Sequence, residues 1–216
     1  WFNINGTAST TSHGTSSNVL QGNEISDLRI TGGANHNIIG GSAEGAGNTN
    51  SGSEDSGIAI LEPGTDGNIV MGNKIGTNAS GDAAVPNEFD GIYISQGASY
   101  NIIGGDAPGE GNLISGNLSY GIEIANWTSD PAAPVSVGTM IEGNLIGTNL
   151  AGTAALPNSA GIVLQGFGSY LTSIGGSAAG AGNVISGNLG LGILISGPDS
   201  DSTVVSGNKI GTNLAG

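Results

Sequence analysis

Paired carboxylates and histidines are the side chains of this sequence that could carry out acid–base chemistry. The candidates are Glu54 with Asp55, Asp199 with Asp201, and the two histidines, His13 and His36. Hydrolysis of a glycosidic bond requires two carboxyl groups at a controlled separation, and a catalytic site also requires groups that position them. Neither pair joins other residues in a recognisable catalytic arrangement, and both histidines fall in polar loop segments. We therefore expect no catalytic residue and predict that the chain is not an enzyme.

Calcium is the one cofactor that the acidic residues bring into consideration. Closely spaced carboxylates occur at Asp199 and Asp201, at Glu88 and Asp90, and at Asp106 and Glu110. Carboxylate oxygens suit Ca²⁺, but the regular spacing of a dedicated calcium loop is absent. We interpret these stretches as solvated acidic turns. The expectation is no cofactor and no metal site, with calcium as the alternative.

One aromatic residue stands out as a candidate contact with a ligand. Trp127 lies in NWTSDPAAPVSV, residues 126–137, a stretch with no counterpart elsewhere in the chain. Aromatic rings supply large and rigid contact areas, although packing or loop anchoring is the alternative role for this ring. If the protein makes a specific contact, the sequence predicts it in this loop.

Sequons for N-linked glycosylation, Asn-x-Ser/Thr, occur at four asparagines. They are Asn5, Asn78, Asn117 and Asn126. Asn117 also belongs to a recurring corner of the repeat described below, so we expect it to be protected. In a secreted glycoprotein the candidate acceptors would be Asn5, Asn78 and Asn126.

The charge balance excludes several classes of partner. Three basic residues, Arg29, Lys74 and Lys209, accompany 17 acidic residues, and the formal net charge is -14. Nucleic-acid binding needs clustered Lys and Arg to displace counterions from phosphates, so we expect no nucleic-acid partner. No apolar run approaches the length of about 18 residues that a membrane-spanning helix needs, so we expect no membrane insertion. Without cysteine, disulfides and thiolate metal sites are excluded.

Two sequence modules alternate along the chain, which is rich in glycine with 42 in 216 residues. The first is GNKIGTNASGDAAVPN from Gly72 and GNLIGTNLAGTAALPN from Gly143, and it begins again at Gly207. The second is IIGGDAPGEGNLISGN from Ile102 and SIGGSAAGAGNVISGN from Ser173. Copies recur after 64 or 71 residues, and the excess of seven coincides with residues 126–137. We interpret that stretch as a loop inserted into a regular array that spans residues 1–216 as one domain.

The array resolves into short apolar strands of three kinds. The first kind, such as GIYI at Gly91 and GIEI at Gly121, alternates apolar with other residues at the period of a strand. The second kind is represented by NIIGG at Asn101. The third is represented by LISGN at Leu113, alternating with AVPN at Ala84 and ALPN at Ala155, and includes VLQGN at Val19. This order predicts an all-β parallel solenoid with three short strands in each of about six coils of roughly 30–34 residues; shorter, two-sided coils are the alternative.

Recurring asparagines mark the corners between the strands. They are Asn23, Asn73, Asn117, Asn144, Asn188 and Asn208. Asn and Gly tolerate the left-handed backbone angles of sharp bends. Because equivalent amides stack when coils stack, we predict ladders of hydrogen bonds between copies such as Asn73 and Asn144.

The repeated NxIxGNxIGTN, ISGN and GIxI strings resemble the parallel β-helix repeats of large bacterial secreted and cell-surface proteins. Those repeats are similar in fold to the pectate-lyase-like β-helices, and the resemblance implies right-handed coiling here. Polysaccharide lyases of that fold use Arg or Lys as the proton abstractor. Lys74 and Lys209 occupy equivalent repeat positions, with Leu145 at the copy between them, and we interpret both as solvated surface residues. Arg29 is expected to point outward.

The sequence favours a structural role over a catalytic one. The final module, residues 207–216, shows no cap, so we expect the array to be open at its C-terminal end and copies to associate end to end. The predicted function is an extracellular or cell-surface structural or adhesive β-solenoid, assembling as a filament or surface array. The alternative is a carbohydrate-binding or carbohydrate-active β-helix, similar to a polysaccharide lyase or hydrolase, with glycans as partners.

Overall fold

The computed structural model describes residues 9–11, 16–127, 130, 132–166, 169–198 and 200–212. Over these residues the chain forms a right-handed parallel β-helix of three sheets with seven strands each. The predicted three-sided solenoid is confirmed. It has seven coils, where the sequence predicted about six. None of the described residues forms a helix long and apolar enough to cross a membrane.

The strands, numbered β1 to β23 along the chain, are short and fall into three main sheets. The first sheet contains β1 (Ser9–Thr11), β4 (Leu28–Ile30), β7 (Ile58–Leu61), β10 (Ile92–Ser95), β13 (Tyr120–Asn126), β17 (Ala160–Gly166) and β21 (Ile193–Ile195). The second contains β2 (Val19–Leu20), β5 (Ile38–Gly40), β8 (Ile69–Met71), β11 (Ile102–Gly104), β15 (Met140–Glu142), β19 (Ser173–Gly175) and β22 (Val204–Ser206). The third contains β3 (Glu24–Ile25), β6 (Thr49–Asn50), β9 (Lys74–Ile75), β12 (Leu113–Ile114), β16 (Leu145–Ile146), β20 (Val184–Ile185) and β23 (Lys209–Ile210). Each coil therefore contributes one strand to each of the three sheets.

The core consists of columns of aliphatic side chains that run along the solenoid axis. In the first sheet, Ile60, Ile94 and Ile124 are in register on successive strands and are completely buried. Because side chains alternate between the two faces of a strand, the residue between the two inward residues of each strand points outward. The GIxI pattern thus fixes which residues of the first sheet form its outer surface.

The third-side strands differ in part from those expected. Val19 pairs with Ile38, so its strand belongs to the second sheet. Ala84 and Ala155 form only single antiparallel bridges within loops. The third-sheet strand of those coils is instead β9 or β16. It follows its second-sheet strand after only two residues, so the two strands look like one continuous strand in the sequence.

The two modules alternate because successive coils place their long loop at different corners. Between β5 and β6 the loop covers residues 41–48, whereas β8 and β9 are separated by Gly72 and Asn73 alone. The second of these coils then carries its long loop, residues 76–91, between the third and first sheets. One sequence repeat therefore spans two coils.

Three ladders of asparagine side chains follow the corners of the solenoid. The longest joins Asn23, Asn48, Asn73, Asn112, Asn144, Asn183 and Asn208 through Nδ2 to Oδ1 distances of 2.8 to 3.1 Å. A second joins Asn18, Asn37, Asn68 and Asn101, and a third joins Asn87, Asn117, Asn158 and Asn188. The copies expected to touch are two coils apart, since Asn112 lies between Asn73 and Asn144.

Glycine is required where the second-sheet strands end. Gly104 has a φ of 94°, and a Cβ there would lie 1.9 Å from the carbonyl oxygen of Glu142 in the next coil. Only a residue without a side chain allows the backbones of neighbouring coils to approach this closely. The recurring IGG motif thus reflects the spacing between coils.

The inserted stretch 126–137 leaves the first sheet at the end of β13. Its last two residues form β14 (Ser136–Val137), which pairs in parallel with β18 (Ser169–Tyr170) as a separate two-stranded sheet. Pro134 lies so close to Gly97 that a Cβ on this glycine would be 2.7 Å from the proline ring. The insertion therefore leans back over the preceding coil and adds a wall to the first sheet.

Candidate functional site

The outward residues of the first sheet form one row across the coils. Register places Arg29, Ala59, Tyr93, Glu123, Val163 and Leu194 side by side on successive strands. Neighbouring strands are about 4.8 Å apart, so each of these residues lies next to its counterparts in the coils before and after. Tyr93 and Glu123, which are 30 residues apart in sequence, are neighbours in this row.

Arg29 is held at one end of this row by acidic residues. Its guanidinium forms an ion pair with Asp55 from the turn before β7, and its Nε lies 3.7 Å from Oδ2 of Asp27. The sequence placed Arg29 on the outer face but showed no carboxylate cluster beside it. The turn between the third and first sheets supplies that cluster.

Asp90 and Glu123 form a pair of carboxyl groups at the middle of the row. Asp90 is 4% exposed and Glu123 is 8% exposed. The two carboxyl groups lie close enough for each to affect the pKa of the other. The Tyr120 backbone N–H donates to Oδ1 of Asp90 at 2.9 Å, and the Gln165 amide donates to Oε1 of Glu123. Each carboxyl group is therefore fixed by a donor from the next coil.

Burial and mutual repulsion change the protonation of this pair. The pKa of Glu123 is raised to about 7, mainly by burial and further by the charge of Asp90. Burial also raises the pKa of Asp90, although the Tyr120 N–H opposes this effect. Two carboxyl groups in contact hold one proton between them, because both cannot be ionised at low cost. Near neutral pH the pair therefore holds a proton that isolated carboxyl groups would have released.

A cleft opens between the first sheet and the inserted stretch. Its volume is about 440 Å³, and its lining includes Tyr93, Ser95, Gln96, Asn126, Trp127 and Pro134. Trp127 is 66% exposed, so a broad face of the indole is open to solvent. The floor comes from β10 and the wall from the residues that follow β13.

Tyr93 connects the cleft with the carboxyl pair. It lines the cleft and is the register neighbour of Glu123. Burial raises the pKa of the Tyr93 phenol, and the negative charges of Glu123, Asp90 and Asp55 raise it further.

The lysines singled out by the repeat lie away from this site. Lys74 and Lys209 occupy the outward row of the third sheet, where Leu113, Leu145 and Val184 stand between them in register. His36 is exposed, with Nδ1 3.0 Å from Oδ1 of Asn35. His13 and Asp199 lie outside the described residues.

The acidic turns considered for calcium remain separate from one another. Glu88 is exposed while Asp90 is buried, and Glu110 accepts a hydrogen bond from the backbone of its own turn at Ala107. Within the described ranges, no three acidic or histidine side chains are arranged so that they could hold a metal ion. Asp106 instead lies near Glu142 of the next coil, whose pKa is raised by burial and then by the charge of Asp106.

Two of the candidate glycosylation sites lie within the described residues. The Asn78 amide donates to Asp82 at 2.8 Å within an exposed loop. Asn126 is 2% exposed, and its Oδ1 accepts the backbone N–H of Gln96 at 2.8 Å. Attachment of a glycan to this buried side chain would therefore require the residues around it to move. Asn5 lies outside the described residues.

Sequence reasoning identified Trp127 but did not identify the carboxyl pair. The available signal was the alignment of GIYI with GIEI, which places Tyr93 and Glu123 at equivalent outward positions of neighbouring coils. Asp90 gives no such signal, because it precedes the strand and reaches Glu123 only through the turn of its loop. No protein-family model, curated protein or solved structure matches the chain.

Proposed function

We propose that this chain is an extracellular adhesive β-solenoid that binds glycans in the cleft beside Trp127. The observation that carries the proposal is the exposed indole of Trp127, which lines a cleft together with Tyr93 and the exposed Gln96 of the first sheet. The assignment to bacterial secreted or cell-surface proteins with a pectate-lyase-like fold belongs to the same proposal and is supported by the repeat strings. An adhesive role agrees with a regular solenoid in which the inserted stretch 126–137 departs from the repeat.

The chemistry of the cleft suits a sugar. Aromatic rings offer flat apolar faces, and the exposed side chain of Gln96 places an amide at the floor. Binding sites of small ligands combine apolar walls with a few placed polar groups in this manner.

The geometry of Asp90 and Glu123 supports binding rather than cleavage. Glycoside hydrolases separate their two carboxyl groups by about 5 Å, or by about 6.5–9.5 Å when a water molecule attacks. Asp90 and Glu123 are only 4% and 8% exposed, and neither lines the cleft, so a glycosidic bond in the cleft does not reach them. We therefore propose no hydrolytic role for this pair.

Replacing Trp127 with alanine is expected to weaken glycan binding about tenfold, because stacking on the exposed indole would be lost. The chain contains two tryptophans, so Trp1→Phe leaves Trp127 as the only reporter for fluorescence titration with a panel of oligosaccharides. Oligosaccharides that change the emission are then measured against Trp127→Ala by calorimetry. Phe89→Ala, which alters an exposed aromatic residue outside the cleft, is the matched control. Unchanged affinity in Trp127→Ala, or no binding of any glycan, would contradict the proposal.

The second candidate function is structural, as a filament or surface array built by end-to-end association. The coils favour it because they are interchangeable: the same aliphatic and asparagine side chains recur in register at each step. Such a contact is heterologous and propagates. We expect filaments in electron micrographs of the native protein, with a repeat of about 4.8 Å per coil. Strictly monomeric sedimentation at every concentration would exclude this function.

A further inference from the structure

One residue that lines the cleft has an unusual backbone conformation. Gln96 directly follows β10 and has a φ of 58°, in the left-handed region that residues other than glycine seldom adopt. The equivalent position lies two residues after the last inward residue of each first-sheet strand. In three other coils glycine occupies it, with a positive φ, as Gly32, Gly166 and Gly197. The turn itself is thus better served by glycine than by glutamine.

Glu62, the equivalent residue of the preceding coil, has the same backbone conformation but uses its side chain within the fold. Its φ is 78°, and its Oε2 accepts the backbone N–H of Gly32 at 2.9 Å. The Gln96 backbone N–H donates to Oδ1 of Asn126 at 2.8 Å, a bond that glycine could also make. The side-chain amide of Gln96, by contrast, has no hydrogen-bond partner among the described residues, and Gln96 is exposed at the cleft. An unfavourable backbone conformation therefore presents an amide that the fold does not use.

The lining of the cleft is uncharged. Among the described residues that line it, none is acidic or basic. A primary amide both donates and accepts hydrogen bonds, as the hydroxyl groups of a sugar do. A carboxylate on the ligand would lose hydration in the cleft without gaining a basic partner, which is unfavourable. The lining therefore suits a neutral sugar ring that stacks on Trp127.

We propose that Gln96 binds the hydroxyl groups of the glycan, and that the cleft selects neutral glycans over acidic ones. The inference rests on the proposed glycan-binding function and names its substrate class. Gln96 determines this specificity because its amide offers two donors and one acceptor, which match neighbouring hydroxyl groups of a pyranose ring. Its backbone is fixed by the bond to Asn126, so less freedom is lost when the amide engages a ligand.

The selectivity is tested by calorimetry at neutral pH and constant ionic strength. Tetrasaccharides of glucose, mannose and galactose are compared with the uronate tetrasaccharides of the same linkage, which differ only in the oxidation of C6. Binding in the cleft is recognised by its loss in Trp127→Ala. Each neutral oligomer that binds in the cleft should bind about tenfold more tightly than its uronate.

The role of Gln96 is tested with Gln96→Gly, which keeps the backbone N–H and suits the positive φ. The affinity for the neutral oligomer should fall about tenfold, while the midpoint of chemical denaturation stays at or above that of the wild type. Glu62→Gly makes the same change at the equivalent position, which does not line the cleft. It should leave the affinity unchanged.

Unchanged affinity in Gln96→Gly, or a uronate that binds at least as tightly as its neutral counterpart, would overturn the inference while the glycan-binding function stands. A fall of both affinity and midpoint in Gln96→Gly would also overturn it, because Gln96 would then act by holding the turn. Absence of Trp127-dependent binding with every oligosaccharide would overturn both the inference and the proposed function.

Discussion

Replacing Asn50 with isoleucine is expected to stabilise the protein by about 3 kcal/mol. Asn50 is the inward residue of β6 and is completely buried, and neither atom of its amide has a hydrogen-bond partner. Its register neighbours, Ile25 in the coil before and Ile75 in the coil after, are both isoleucine. The substitution removes an unsatisfied amide and extends an existing aliphatic column.

The matched control is Asn48, a buried asparagine two residues earlier in the same coil. Its Nδ2 donates to Asn73 at 2.9 Å and to the Leu20 carbonyl at 2.8 Å, and its Oδ1 accepts from Asn23. Asn48→Ala leaves these partners unsatisfied and should destabilise the protein by about 3 kcal/mol. The two asparagines have the same chemistry and differ only in whether the amide is satisfied.

Chemical denaturation of both variants measures the contrast directly. We expect the midpoint to rise for Asn50→Ile and to fall for Asn48→Ala, with the dependence on denaturant concentration unchanged. Isoleucine is larger than asparagine, so Asn50→Val serves as a smaller aliphatic variant if packing is tight. Destabilisation by both aliphatic variants would show that Asn50 has a role that its contacts do not reveal.

The fold could be predicted because its information is local and repeated. Each GIxI string specifies two inward residues and one outward residue, and four such strings with the variants GIVL and DLRI fix one side of the solenoid without reference to the rest of the chain. The third side was harder. A strand of two residues such as Lys74–Ile75 has no period of its own, and only pairing with Leu113 and Ile114 reveals it as a strand.

The candidate site could be predicted only where it departs from the repeat. Trp127 stood out because its stretch has no counterpart, which is a property visible in sequence. Asp90 and Glu123 are 33 residues apart and become neighbours through the lengths of the loops between them. Their burial, and hence the shared proton, depends on contacts with Tyr120 and Gln165 of later coils.

This division has a physical cause in the architecture. A parallel solenoid makes its contacts between coils about 30 to 40 residues apart, as the hydrogen bonds from Asn37 to Asn68 and from Asn73 to Asn112 show. Because each coil offers the same isoleucines, the core residues can be predicted even when the register between coils is assigned wrongly. A site built from residues that are not repeated can be predicted only when the register is correct.

Replacing Glu123 with glutamine is expected to make the protein about 2 kcal/mol more stable than the wild type at alkaline pH, and about equally stable at acidic pH. The folded protein raises the pKa of Glu123 from 4.5 to about 7. Between these two values the folded chain holds a proton that the unfolded chain has released. The stability that Glu123 contributes is therefore complete below pH 4.5 and is lost as the pH rises through 7.

Glutamine reproduces the protonated state at every pH, because it is uncharged and its oxygen accepts from Gln165 as the protonated carboxyl group does. Thermal or chemical unfolding from pH 4 to pH 8 should show wild-type stability declining across this range and a flatter profile for Glu123→Gln. Glu44→Gln, in an exposed loop, should follow the wild type. A wild-type profile without this decline, or the same decline in Glu123→Gln, would mean that the pair does not hold a shared proton.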